Sequence, residues 1–77
     1  MMNVKKSVDC IGMFCPMPLF EARKAIESVD VGDIVEILAD DPSAKKDIPE
    51  WAERSGHEVL EVREDDGTFI IRIKRGV

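Results

Sequence analysis

Asp66-Gly67 constrains the fold of this chain more than any other feature. The pair divides the last third into two strand-like runs, "HEVLEVRE" and "TFIIRIKR", joined by "DDGT". Asp-Gly between alternating apolar residues is a strong signal for a two-residue hairpin turn. In the second run Phe69, Ile71 and Ile73 fall on one face, and Ile70, Arg72 and Lys74 on the other. Upstream, strand and helix patterns alternate. "KSVDCIG" reads as a short strand ending at Gly12. A helix starting near Pro18 carries Leu19, Ala22, Ile26 and Val29 at helical spacing and closes at Asp30 and Gly32. "DIVEILAD" is the most apolar strand and so a central one. Asp41 can cap the next helix with Pro42 in its first turn. That helix, "SAKKDIPEWAERSGH", reads as interrupted: Asp47 and Glu50 have capping-box spacing and Pro49 suits a restarted first turn. Gly56 is its stop, with Trp51 and Ala52 facing inward.

The resulting order is β-α-β-α-β-β. Two helices on one face of a four-stranded mixed sheet make a two-layer α/β sandwich, of the α+β class. If the first two strands are parallel, their crossover is right-handed. With 77 residues and no linker or repeat, one domain over residues 1–77 is expected.

Sixteen acidic residues against eleven basic give a net charge of -5, which argues against direct binding to nucleic acid. No apolar run approaches the roughly 20 residues that span a bilayer. "MMNVKKSVDC" lacks an apolar stretch of signal-peptide length. A soluble, cytoplasmic protein without membrane attachment is expected. Two cysteines are fewer than disulfide-dense secreted domains carry, and in a reducing compartment they are two thiols.

Cys15 stands just ahead of the first helix, where unpaired N–H groups and partial positive charge favour a thiolate. Pro16 and Pro18 stiffen the loop, and Gly12 lets it turn. A buried, inert Cys15 is the alternative, but a strand-to-helix loop is where reactive groups are displayed. Asp9 can fix the loop by accepting backbone N–H bonds. The single histidine, His57, lies beyond the second helix, and nothing in the sequence brings it to Cys15. No metal-ligand spacing, phosphate loop or dinucleotide fingerprint is present, so neither metal nor organic cofactor is expected. Accepting, holding and handing on a group is chemistry a lone thiolate can perform.

"DCIGMFCPMP" resembles the Cys-Pro-x-Pro signature of the TusA/SirA-like sulfur carriers. "GDIVEILADDP", "DIPEWAERSGHEV" and "IRIKRG" extend the likeness over nearly the whole chain. The resemblance implies the same β-α-β-α-β-β sandwich and a persulfide-forming, sulfurtransferase-like cysteine at Cys15. It also implies a cysteine desulfurase or rhodanese-like donor, a sulfur-acceptor protein, and no cofactor beyond the sulfur itself. Pro16 and Pro18 would shape the loop. Members resembling the tRNA-thiolation branch carry arginine before the cysteine and glutamate between the prolines. Phe14 and Met17 stand there instead, and with Met13 they suggest docking on an apolar partner surface. Cys10 can serve as a resolving thiol, forming a Cys10–Cys15 disulfide, or simply fill space at the strand end; space filling is favoured. A non-catalytic interaction module and a Cys10/Cys15 redox switch are the rival functions.

Overall fold

The computed structural model describes residues 3–14 and 16–77. Six elements follow one another: β1 (Val4–Cys10), α1 (Met17–Glu27), β2 (Ile34–Ala39), α2 (Pro42–Arg54), β3 (Glu58–Asp65) and β4 (Thr68–Lys74). The sheet order is β1-β2-β4-β3. β1 and β2 are parallel, and the other pairs antiparallel, so the sheet is mixed with β2 and β4 inside. The expected element order and two-layer arrangement are therefore the observed ones.

Alternation along the inner strands selects the core face. Val35, Ile37 and Ala39 of β2 and Ile71 and Ile73 of β4 are buried. They form one cluster with Ala22, Ala25 and Ile26 of α1 and Ala44, Ile48 and Ala52 of α2. Both helices thus cover the same side of the sheet. On the opposite side Arg72 sits between Glu36 (3.1 Å) and Glu61 (3.3 Å), bridging three strands. Ile70, also on that side, is nonetheless buried.

The hairpin is as expected: Asp66 and Gly67 both take positive φ, 50° and 84°. This suits a type I′ turn, whose twist matches that of the strands it joins. Asp41 caps α2 by accepting from the Ser43 N–H at 3.0 Å, and Pro42 opens the helix.

Four expectations need correction. β1 ends at Cys10, two residues before Gly12. α1 ends at Glu27, with Ser28 as its C-cap, and not at Asp30 and Gly32. Asp30 and Asp33 instead form a separate turn, with Asp33 accepting from the Asp30 N–H at 2.9 Å. α2 is continuous through Pro49, so no capping box restarts it at Asp47. Proline there removes one helical donor, but Ala44, Ile48 and Ala52 hold the segment by burying a single stripe. Trp51 is only half-buried: it packs against the core edge with its ring 5.5 Å from that of His57. At the end of α2 the Gly56 and His57 N–H groups bond to the Glu53 and Ala52 carbonyls, a Schellman closure.

The end of the sheet formed by Ile34, Lys74 and Glu58 is braced by the C-terminal residues. Arg75 exchanges backbone bonds with Gly32 and Asp33 (2.8 and 2.9 Å), while its guanidinium donates to the Val29 carbonyl at the end of α1. The Gly76 N–H donates to His57 Nδ1 at 3.0 Å. Desolvation first, and the Arg75 charge second, lower the His57 pKa from its ordinary 6.5. Protonation takes the acceptor from Gly76. A lowered folded-state value means stability is full above about 6.5 and falls as pH drops through the shifted value. An NMR titration should show the Gly76 amide moving with a midpoint below 6.5, while Ile37 and Ile71 amides stay fixed. A midpoint above 6.5 would contradict this bond.

Candidate functional site

β1 and β2 run side by side, with Cys10 opposite Ala39. The residues that follow each strand, the Ile11–Gly12 turn and Asp40, therefore meet at one end of the sheet. Two carboxylates there hold the turn. Asp9 Oδ1 accepts from the Ile11 N–H at 2.9 Å, and Asp40 Oδ1 from the Gly12 N–H at 3.0 Å. The Met13 N–H donates to the Cys10 carbonyl at 3.1 Å. Gly12 adopts φ +85° with open space where a Cβ would stand, so its role is conformational and not one of close approach.

Cys15, the nucleophile expected from the sequence, lies outside the described residues. The residues before and after it in the sequence are described. Phe14 is 78% exposed. The Met17 N–H donates to the Phe14 carbonyl at 2.9 Å, and the Phe20 N–H to the Pro16 carbonyl at 3.1 Å. Pro16 is the N-cap of α1, and Pro18, in the first turn, is fully buried. The two prolines thus differ: Pro18 anchors the helix start in the core, while Pro16 is exposed. Among the described residues no side chain caps α1, and no acidic residue lies in its first turn. α2 contrasts with it, having Asp41 in the capping position. The partial positive charge at the start of α1 therefore meets no carboxylate in the first turn.

Cys10 faces the core and is fully buried. Burial first, then the negative charges of Glu21 and Asp9, raise its thiol pKa above the ordinary 9.0. Such a thiol is a poor nucleophile at neutral pH. His57 precedes β3, and Glu58 is opposite Lys74, which is opposite Ile34. It therefore occupies the far end of the sheet, roughly 17 Å of strand away from the turn. A groove of about 550 Å³ opens beside it, lined in part by Glu53, Glu58, Lys74 and Arg75. Among the described residues no group of three or more His, Cys, Asp or Glu is placed to hold a metal ion. No helix is long and apolar enough to cross a membrane.

Sequence reasoning found Asp9, Gly12 and the prolines but missed Asp40. Its signal was indirect: a polar residue at the end of a strand matters here only because that strand is parallel to β1 and level with it. Phe20 and Ile11, both about half exposed near the loop, were missed as well.

The comparisons agree with this architecture. The model of the family described as Sulfurtransferase TusA matches residues 6–75. A relative in Archaeoglobus fulgidus is 49% identical over 75 residues, covering 94% of this chain and 97% of its own. The sulfur carrier protein TusA of Allochromatium vinosum is 31% identical, covering 97% and 99%. The crystal structure of a SirA-like protein from Desulfitobacterium hafniense superposes with a TM-score of 0.82 at 26% identity, covering 94% of this chain and 99% of that one. With the sandwich, the turn ahead of α1 and a family match over nearly all of its length, the chain belongs to the TusA sulfurtransferase family.

Proposed function

We propose that residues 1–77 act as one sulfur-carrier domain in the cytoplasm, with sulfur held as a persulfide on Cys15. The thiolate of Cys15 attacks the outer sulfur of a donor persulfide. The donor's S–S bond breaks, its cysteine leaves as a thiolate, and Cys15 becomes Cys–S–SH. An acceptor thiolate then attacks that outer sulfur, and the Cys15 thiolate is released. Each transfer exchanges one S–S bond for another, so no external oxidant or reductant is consumed. The donor is a cysteine desulfurase or a rhodanese-like protein, and the acceptor is a protein cysteine.

The observation that supports this reading is the anchored turn running into the start of α1, whose first turn carries no acidic residue. Asp9 and Asp40 hold Ile11 and Gly12, and Pro16 begins the helix directly after Cys15. A helix N-terminus stabilises the anionic sulfur needed to attack and the anionic sulfur left after transfer. Cys10 fills core space, and its burial and raised pKa weigh against a resolving role. Phe14 and Met17, in place of the charged residues of the tRNA-thiolation branch, favour a different acceptor.

Incubation with a cysteine desulfurase and L-cysteine should add one sulfur atom's mass, removable by dithiothreitol and mapped to the peptide containing Cys15. Cys10→Ala should take up sulfur as the parent does. Persulfide mapping to Cys10, or absence of uptake, would refute the reading.

A further inference from the structure

The edge of a sheet is a row of unpaired backbone N–H and C=O groups, which a protein either blocks or pairs. This sheet ends in β1 on one side and β3 on the other. β3 is blocked. Glu58, Glu61, Glu64 and Asp65 stand on it against Arg63 alone, and its register breaks between Val59 and Glu61. A copy of the same strand laid against it would be repelled. β1 differs: its register breaks before Lys6 and then runs without interruption to Cys10. Lysine on an edge strand ordinarily bars a partner, but Lys6 is turned towards α1, its Nζ donating to Ser28 Oγ at 3.1 Å.

Between β1 and α1 lies a groove of about 240 Å³, lined in part by Lys6, Val8, Asp9, Glu21, Lys24 and Ala25. Its charges are balanced but separated. Asp9 and Glu21 both act on the Cys10 thiol and so mark the Cys10 end. Lys6, beside Ser28, marks the other end. Lys24 lies between them, exposed and 3.6 Å from Glu21. An exposed pair of this kind contributes little within one chain. Over β1 and α1 together, Lys5, Lys6, Arg23 and Lys24 stand against Asp9, Glu21 and Glu27. The acidic excess that gives the chain its net charge of -5 is thus carried elsewhere, and two copies repel least along this edge. A segment of uniform charge would meet the wrong sign at one end of the groove. An antiparallel copy of β1 meets the right sign at both ends, because a twofold axis reverses the order of the charges.

We propose that this chain forms a symmetric dimer by antiparallel pairing of β1 with β1 of a second copy. The axis passes near Val8, the middle of the unbroken stretch Lys6–Cys10. Ser7 then lies opposite the partner's Asp9, and Lys6 opposite the partner's Cys10, where the partner's Glu21 supplies the opposite charge. Two four-stranded sheets join into one, with β3 at both of its edges. The two Ile11–Gly12 turns fall at opposite ends of the new ladder. So short a ladder makes a small interface, with a dissociation constant on the order of 100 μM.

Sedimentation equilibrium of the full chain at concentrations up to about 1 mM tests this. The weight-average mass should climb from 8.6 kDa towards twice that value and no further. Lys6→Glu and Glu21→Lys each set like charges against one another across the axis, and each should raise the dissociation constant at least about tenfold. An equimolar mixture of the two keeps one Lys6–Glu21 contact and reverses the signs of the other. It should return to within about threefold of the parent, a recovery that only a contact between chains produces. A nitroxide on Val62→Cys, in a Cys15→Ser background where the remaining thiol of Cys10 is buried, reads the geometry. The two labels should lie about 30–40 Å apart, the width of seven strand spacings. A parent that stays at 8.6 kDa, single variants that associate as the parent does, or a mixture that does not recover would overturn the dimer. Growth past the dimer would assign β1 to open head-to-tail pairing with β3, and labels closer than about 20 Å would assign the contact to β3 alone. Either result overturns it as well.

Discussion

Cys15→Ser should remain at its unmodified mass after incubation with a desulfurase and L-cysteine, a loss of uptake by at least about a thousandfold. Serine is nearly isosteric, so the loss isolates the element and not the shape. A hydroxyl is barely ionised at neutral pH, whereas a thiol beside a helix N-terminus is readily ionised. Sulfur also forms the S–S bond that stores the cargo, which oxygen cannot replace. The fold should be untouched: thermal unfolding of the variant should match the parent within about 1 °C. A Cys15→Ser protein that gains sulfur as well as the parent would transfer the chemistry elsewhere.

The second large effect concerns stability. Ile37 lies at the centre of β2, between Val8 on β1 and Ile71 on β4, and is fully buried. Ile37→Ala removes three buried carbons where neighbouring strands cannot close the gap, a cost of about 2–5 kcal/mol. A 77-residue domain sits toward the lower part of the usual stability range of about 5–15 kcal/mol. Urea unfolding should show a midpoint reduced by a third or more, with an unchanged slope. Val62→Ala, at a 41% exposed site on the edge strand, should cost less than about 1 kcal/mol by the same measurement. Equal costs at the two sites would place the core elsewhere.

Local chemistry made much of this fold legible. Asp66-Gly67 dictated its turn because both residues tolerate positive φ, and Asp41-Pro42 marked a helix start by capping geometry alone. The interruption read at Pro49 was wrong because burial of Ala44, Ile48 and Ala52 outweighs one missing backbone bond. That balance is tertiary and invisible in a local window. The strand limit at Gly12 was misplaced for a similar reason. Gly12 belongs to a turn held from β2 by Asp40, a contact across 28 residues fixed by strand register. Around the loop, Asp9 and Gly12 were recognisable by residue type, and Pro18 proved to be an anchor in the core. Phe14, read from the sequence as part of an apolar docking surface, is indeed exposed, following a turn closed by the Met13 N–H to Cys10 carbonyl bond.

Arg75 joins the last strand to the end of α1 and to the segment leading into β2, at the end of the sheet opposite Asp40. This fastening is thus remote from Ile11, Gly12 and Phe14. The exposed side chains of Ile11 and Phe14 can be exchanged at little cost to the fold, whereas Gly12, at positive φ, cannot.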